Sequence, residues 1–119
     1  MSWVGFYLFD GNKLYLGPFQ GKVACTKIEM GRGVCGTSAV KRESMIEPDV
    51  NKFPGHIFCD SESKSEIVIP ILRNEQLICV LDIDSHNYNA FGETDKKYLE
   101  ETCNFLSEEI FSSTVHKII

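Results

Sequence analysis

Two apolar, β-branched runs separated by only four residues constrain the fold of this chain most strongly. The first run is EIVIPIL, from Glu66 to Leu72, and the second is LICVLDI, from Leu77 to Ile83. A connection of four residues suits a hairpin turn but is too short for the crossover that parallel strands need. The two runs therefore predict adjacent antiparallel strands.

Shorter strand signals precede this pair. The aromatic run WVGFYLF, from Trp3 to Phe9, is followed by an Asp-Gly-Asn turn signal, which predicts a second hairpin. Because this first strand starts so abruptly, we expect that it forms an edge of the sheet or that a segment preceding it is missing. The other predicted strands are Lys13 to Leu16, ended by the glycine-rich segment 17–21, then Val23 to Ile28, and the short stub Met45 to Ile46.

Two helices are predicted among these strands. The segment VCGTSAVKRE, from Val34 to Glu43, contains good helix formers after a glycine turn. The closing helix has Thr94 as its expected N-cap. Its apolar stripe, at i, i+4, i+7 and i+11, consists of Leu99, Cys103, Leu106 and Ile110. Short hairpins and few helices predict one α+β domain over residues 1–119, a central antiparallel sheet with helices packed against it.

Composition excludes several functional classes. The net charge of −5 and the scattered basic residues argue against a nucleic-acid partner. No apolar run reaches the roughly 18 residues of a membrane span, and the N-terminus lacks a secretory signal. An odd number of cysteines, five, fits poorly with a fully paired extracellular framework, so we expect a cytoplasmic location.

The five cysteines divide into two groups. Cys103 lies on the apolar stripe of the last helix, and Cys79 alternates with apolar residues of a strand, so both are expected in the core. Cys25, Cys35 and Cys59 lie in polar, glycine-containing surroundings. Cys35 falls at the start of a helix, where backbone N–H groups and the helix dipole favour a thiolate.

Three interpretations of the second group remain open. A structural zinc site with three cysteines and His56 is one, although the spacing lacks a C-x2-C pair. A redox set, in which an oxidised thiol is resolved by another into a disulfide, is the second. Three unrelated buried thiols are the third. Cys59 lies in the long irregular segment from Pro48 to Lys64, and loops of that length are commonly functional.

Three acidic residues favour the redox interpretation. Asp82 and Asp84 are two apart on a predicted strand and therefore point to one face. Glu66 opens the neighbouring strand, and a matching hairpin register would place it beside them. Carboxylates so crowded bind a cation or retain a proton near neutral pH. The alternative is a solvated strand end with exposed acids.

These motifs resemble those of the free methionine-(R)-sulfoxide reductases, enzymes of the GAF fold. The resemblance rests on GRGVCGT (31–37), DVNKFPGHIFCD (49–60), SKSEIVIPI (63–71) and LDIDS (81–85), together with GPFQGKVAC (17–25), in the order and spacing of the family. It covers nearly the whole chain. It implies reduction of free methionine-(R)-sulfoxide to methionine without an organic cofactor or a metal, with a thioredoxin-type protein as the reductant.

The resemblance also implies residue roles. Cys59 matches the nucleophile, Cys25 the resolving cysteine and Cys35 an auxiliary redox cysteine, although the roles of Cys35 and Cys59 differ between members of the family. The acids Glu66, Asp82 and Asp84 match residues that bind the substrate and donate a proton. Trp3 and Tyr7 match the aromatic wall around the methyl group and sulfur of the substrate.

Two further expectations follow from this comparison. The family carries a helical segment ahead of the strand that opens here at Trp3, and that segment contributes to the contacts of a homodimer. The competing class of function is a GAF-type sensor of a small molecule or of redox state, which would use the same thiols without turnover.

Overall fold

The fold is built on one antiparallel sheet of six strands with the order β3-β2-β1-β6-β5-β4. The structure is a computed structural model that describes residues 2–22, 24–55 and 62–111, with the backbone alone for residues 110 and 111. The strands are β1 Trp3–Phe9, β2 Lys13–Gln20, β3 Lys27–Glu29, β4 Met45–Glu47, β5 Ser65–Arg73 and β6 Gln76–Ser85. The prediction of an antiparallel α+β domain is confirmed.

The hairpin of β5 and β6 lies inside the sheet, as its apolar composition requires. β1 pairs along β6, with Trp3 opposite Asp84 and Leu8 opposite Cys79. Of the two alternatives for the abrupt start of β1, the edge position is therefore wrong. Its aromatic and β-branched residues are those of a strand paired on both sides.

Two helices lie on opposite faces of the sheet. Helix α1 (Gly33–Lys41) packs with Val68 and Val80, whereas helix α2 (Glu93–Leu106) packs with Ile67 and Ile69. Successive residues of a strand point to opposite faces, so these contacts assign one helix to each face. A short 3-10 helix (Val50–Lys52) and a π-helical turn (Ser107–Phe111) complete the described elements.

Several boundaries differ from the sequence predictions. β2 continues through Gly17 and Pro18 to Gln20, because a register shift opposite Gly5 to Tyr7 accommodates them. β3 is shorter than predicted and begins only at Lys27. Helix α2 begins one residue before Thr94, and the Asp95 carboxylate accepts a hydrogen bond from the Gly92 N–H at 2.8 Å, so Gly92 is the N-cap.

Two apolar clusters stabilise this arrangement. The α1 face contains Trp3, Tyr7 and Leu14, and the α2 face contains the isoleucines of β5 with Cys79 and Cys103. Each fully buried aliphatic side chain contributes about 1.5–3 kcal/mol. The α1 face also carries the polar groups described next.

Candidate active site

The acidic residues of β5 and β6 meet on the α1 face of the sheet. In the β5–β6 register Glu66 lies opposite Asp84, and Asp82 lies between Val68 on β5 and Gly5 on β1. The sequence prediction that Glu66 stands beside both aspartates is confirmed. Glu66 and Asp82 are buried, whereas Asp84, at the end of the row, is half-exposed. The three carboxylates thus form a row that begins at the half-exposed Asp84 and ends in the buried interior.

Helix α1 adds a thiol to this cluster. Cys35 is the third residue of the helix, and its Sγ–H donates to Glu66 Oε2 at 3.7 Å. One ligand atom each from Cys35, Glu66 and Asp82 lies within 4.8 Å of the other two. Two acids and a thiol therefore converge at one buried point.

The turn before α1 explains how Cys35 reaches this depth. Gly31 N–H donates to Gly36 O at 2.9 Å, which folds the turn back on the helix. A Cβ on Gly36 would come within 2.5 Å of the Glu29 carbonyl oxygen. Glycine at position 36 therefore allows α1 to pack directly against the end of β3.

Burial dominates the electrostatics of the cluster. It raises the pKa of Glu66 well above its usual range, and the charges of Asp82 and Asp84 raise it further. Burial also raises the pKa of Asp82, although hydrogen bonds from Glu66 and Cys35 oppose that shift. The cluster therefore retains a proton at a pH where exposed carboxylic acids are ionised.

The same surroundings correct the expectation of a thiolate at Cys35. The pKa of its thiol is raised well above the usual value, first by burial and then by the charges of Asp82, Glu66 and Asp84. These effects outweigh the helix dipole, which contributes only about 0.3–1 kcal/mol at a helix terminus. In this state Cys35 is a neutral thiol that donates a hydrogen bond.

One oxygen in the cluster is left without a partner. Asp82 Oδ1 is buried and accepts no hydrogen bond within the described part of the chain. A buried acceptor without a donor is unfavourable by about 1–3 kcal/mol. The cluster is thus suited to receive a cationic or hydrogen-bond-donating ligand, and its thiol and carboxylates could also hold a soft divalent metal ion.

Aromatic side chains from β1 border the acids. The rings of Trp3 and Tyr7 are buried and stacked with centroids 5.9 Å apart. Between them Gly5 leaves space for the indole, because a Cβ there would lie 2.4 Å from Trp3 Cη2. Sequence reasoning did not assign a role to Gly5, although a glycine inside an aromatic strand is a signal of close packing.

The segment that follows β2 lies against these aromatic residues. Tyr7 Oη–H donates to the carbonyl oxygen of Cys25 at 3.0 Å, and Trp3 Nε1–H donates to that of Lys22 at 2.9 Å. Cys25 is disulfide-bonded. Cys35, Cys79 and Cys103 are free thiols. The disulfide-bonded Cys25 is therefore adjacent to the aromatic wall.

The long loop from Pro48 to Lys64 is anchored beside the acids. Val50 N–H donates to Lys64 O at 2.9 Å, and Lys64 N–H donates to Ser85 O at 2.8 Å, one residue beyond Asp84. The predicted nucleophile Cys59 and the zinc-ligand candidate His56 lie outside the described residues. The described base of the loop is thus at the open end of the acid row.

A polar contact near the same opening was not predicted from the sequence. Glu62 lies 3.7 Å from Lys22 Nζ and 3.8 Å from His86 Nε2. It connects the loop to the segments after β2 and β6. All three side chains are substantially exposed, so these pairs contribute little stability.

The two core cysteines lie on the other face of the sheet. Cys79 and Cys103 are buried in the apolar cluster beneath α2, as their positions in the sequence predict. Burial raises the pKa of Cys79 to about 12 and that of Cys103 to about 11. A cleft of about 570 Å³ also opens on that side, lined in part by Arg42, Glu43 and Glu100, and the described lining contains no thiol.

Comparison with known proteins identifies the class. The family model of the GAF domain matches residues 1–110, and the chain therefore belongs to the GAF domain family. Within the described ranges, no helix is both long and apolar enough to cross a membrane.

The particular branch of this family follows from individual relatives. The chain is 50% identical over 112 residues to the free methionine-R-sulfoxide reductase of Saccharomyces cerevisiae, covering 91% of this chain and 62% of that protein. It is 44% identical over 117 residues to the Escherichia coli protein of that name, covering 98% and 70%. The chain belongs to the free methionine-R-sulfoxide reductase family.

A solved structure agrees with this placement. The free methionine-R-sulfoxide reductase of Neisseria meningitidis, in complex with its substrate, superimposes with a TM-score of 0.91 at 44% identity, covering 98% of this chain and 70% of that one. A GAF domain-containing protein of Dictyostelium discoideum is 55% identical over 87% of this chain. The chain spans about two thirds of the length of these relatives, between 62% and 70%.

Proposed function

We propose that this domain reduces free methionine-(R)-sulfoxide to methionine. One observation carries the proposal: the side chains of Cys35, Glu66 and Asp82 are buried within contact of one another. The aromatic rings of Trp3 and Tyr7 border this cluster. A sulfoxide becomes reducible by a thiol only when its oxygen takes up a proton. A carboxylic acid that stays protonated, held beside a thiol in a nonpolar site, supplies this requirement.

The acids also explain the choice of a free amino acid. The substrate's ammonium group would pair with the carboxyl groups of Asp82 and Asp84 and supply a donor to Asp82 Oδ1, which has none among the described residues. A methionine-sulfoxide residue within a peptide has no ammonium group to offer. The polarisable sulfur and methyl group suit the rings of Trp3 and Tyr7.

The chemical steps we propose begin with a thiolate of Cys59. It attacks the sulfoxide sulfur while the proton held by Glu66 and Asp82 passes to the oxygen. The substrate S–O bond breaks and its oxygen passes, as a hydroxyl, to the Cys59 sulfur. The substrate sulfur thereby gains two electrons and leaves as methionine, and Cys59 becomes a sulfenic acid. Cys25 then forms a disulfide with Cys59 and water is released. A thioredoxin-type dithiol reopens the disulfide by exchange.

Cys35 has a different part in this proposal. As a neutral thiol bonded to Glu66, it is a poor attacking group in the state described. It is suited to orient the Glu66 carboxyl and to enter exchange as an auxiliary thiol when the site opens. No organic cofactor or metal enters these steps.

The setting of the reaction is also part of the proposal. Recycling by thioredoxin requires a reducing compartment, so we assign the domain to the cytoplasm. A homodimer is the assembly we propose, as expected from the family. Its test is the molecular mass in solution of a chain that includes any native extension.

A sensor without turnover is the competing function. A Burkholderia vietnamiensis protein that has been assigned to the GAF sensors, without a stated ligand, matches this chain with a TM-score of 0.90 at 46% identity, covering 71% of that chain. A sensor would form the same disulfide once and would remain oxidised without repeated turnover. Sustained consumption of reductant separates the two functions.

The experiment is a thioredoxin-coupled assay that follows NADPH. We expect continuous oxidation with the free R sulfoxide, and none with the S epimer or with a peptide whose internal methionine is oxidised. An exposed-surface variant, Glu93→Gln, serves as the control and should retain the full rate. A single equivalent of NADPH, followed by no further consumption, would favour the sensor.

A further inference from the structure

Two side chains of β1 hold the segment that carries Cys25. Trp3 and Tyr7 lie on the same face of the strand, and each donates one hydrogen bond to a backbone carbonyl after β2. The acceptors are Lys22 O at 2.9 Å and Cys25 O at 3.0 Å. The aromatic wall therefore has a second set of contacts, made by its polar edges rather than by its ring faces.

The held segment has little structure of its own. The described residues between β2 and β3 belong to no strand or helix, and Gly21 turns with φ of 128°. A Cβ at Gly21 would lie 2.5 Å from Trp3 Cδ1, so the segment passes directly over the indole. Its position relative to the acids thus depends on the β1 side chains.

Both donors are rigidly placed. Trp3 and Tyr7 are 3% and 1% exposed, and their rings stack on each other. A buried hydroxyl or indole N–H in a packed ring has almost no freedom to find another acceptor. Each hydrogen bond therefore fixes the position of one backbone carbonyl group of the segment relative to β1.

We propose that Tyr7, supported by Trp3, is a positioning residue for the resolving step. The inference rests on the proposed function. Tyr7 fixes the Cys25 backbone through its hydrogen bond to the Cys25 carbonyl oxygen, and this restricts the positions that the Cys25 thiol can take in the resolving step. In that step the Cys25 thiol gives up its proton, the S–S bond forms, and the S–O bond of the sulfenic acid breaks. The hydroxide combines with the proton as water, and the sulfoxide is the source of the oxidising equivalents.

The positioning role has a measurable signature. Tyr7→Phe keeps the ring that borders the substrate and removes only the donor to Cys25. The rate of disulfide closure should therefore fall more than the rate of methionine formation. The hydrogen bond is made while Cys25 is disulfide-bonded, so its loss should also shift the thiol–disulfide equilibrium toward the dithiol.

The experiment is a rapid-quench single turnover of the reduced chain with free methionine-(R)-sulfoxide. Methionine and the disulfide are quantified at each time. We expect the ratio of closure rate to methionine-forming rate to fall roughly three- to tenfold in Tyr7→Phe, the loss that one net hydrogen bond corresponds to. Tyr98→Phe, at an exposed position on α2, is the matched control and should leave the ratio unchanged.

A second measurement keeps the two proposals separate. The equilibrium constant for thiol–disulfide exchange with dithiothreitol can be measured without substrate. In Tyr7→Phe this constant should shift by a similar three- to tenfold toward the dithiol form of the chain. Trp3→Phe should shift it in the same direction, since it removes the donor to Lys22. An unchanged ratio together with an unchanged equilibrium would overturn the positioning role. Absence of methionine with the unaltered chain would instead overturn the reductase proposal, while the equilibrium still reports on Tyr7.

Discussion

The Sγ atom of Cys35 lies 3.7 Å from Glu66 Oε2, so a thiol on the first helix and a carboxyl on the central hairpin share one hydrogen bond. The two residues are 31 positions apart in the chain. Both are buried, and burial raises the pKa of each well above its usual value. The carboxyl cluster around Glu66 therefore retains a proton, and Cys35 on α1 is a neutral thiol rather than a thiolate.

Removal of the acid should slow methionine formation strongly. In Glu66→Gln the side chain keeps its size but cannot release a proton to the sulfoxide oxygen. General acid catalysis commonly contributes 10²–10⁴-fold, and we expect kcat/KM to fall by about that factor. Steady-state kinetics of the thioredoxin-coupled reaction provide the test. A loss below about threefold would exclude Glu66 as the acid.

The half-exposed Asp84 should contribute to substrate binding rather than to the stability of the fold. Asp84→Asn removes a charge at the open end of the acid row, where the substrate ammonium is proposed to enter. We expect KM to rise at least about tenfold, as for the loss of a charge-assisted hydrogen bond. Urea unfolding should give nearly the same stability as the unaltered chain. Unchanged kinetics would remove Asp84 from the substrate site.

The acid cluster should make stability depend on pH in an uncommon direction. The pKa of Glu66 and that of Asp82 are raised in the folded state, so the folded chain binds more protons than the unfolded chain above pH 4. Stability should therefore be highest below the unfolded pKa values and fall as pH rises through the folded ones.

Urea unfolding between pH 5 and pH 8 measures this effect. The chain should lose stability toward pH 8, and Glu66→Gln should lose less because a neutral amide does not ionise. Equal slopes for the two proteins would contradict a raised pKa at Glu66.

Much of the fold could be predicted from the sequence, because the decisive features are local. The hairpin of β5 and β6 follows from two apolar runs and a short turn, and its register then places Glu66 beside Asp84. Cys79 and Cys103 were recognised as core residues from periodicity alone.

What the sequence did not predict depends on long-range packing. The pairing of β1 with β6 joins residues that are between 71 (Leu8 and Cys79) and 81 (Trp3 and Asp84) positions apart, so no local pattern could place β1 inside the sheet. The position of Cys35 at the start of a helix could be predicted from the sequence, whereas the burial of its thiol against three carboxylates could not. The hydrogen bonds from Trp3 and Tyr7 to Lys22 and Cys25 likewise depend on tertiary contact.

A glycine under the aromatic wall offers a test of the packing itself. In Gly5→Ala the new Cβ would lie 2.4 Å from the Trp3 ring and 2.8 Å from Phe19 Cβ. Overpacking of this kind typically destabilises a protein by about 1–3 kcal/mol. Urea unfolding should show that loss, and the fluorescence of Trp3, the single tryptophan, should shift as the ring moves.

The matched control is Gly92→Ala at the N-cap of α2. There the nearest atom to an added Cβ is Asp95 Oδ2 at 4.0 Å, so the cost should stay below about 1 kcal/mol. Equal costs at the two glycines would mean that the indole is not held as described.

The central claim, a reductase site in which a buried acid cluster supplies the proton and Cys25 resolves the oxidised Cys59, is tested most directly by one single-turnover experiment. The fully reduced chain is mixed with one equivalent of free methionine-(R)-sulfoxide, quenched with an alkylating reagent and mapped by mass spectrometry. We expect one methionine per chain, a disulfide between Cys25 and Cys59, and alkylated thiols at Cys35, Cys79 and Cys103. A disulfide that contains Cys35 in place of Cys59, or no methionine at all, would contradict the claim.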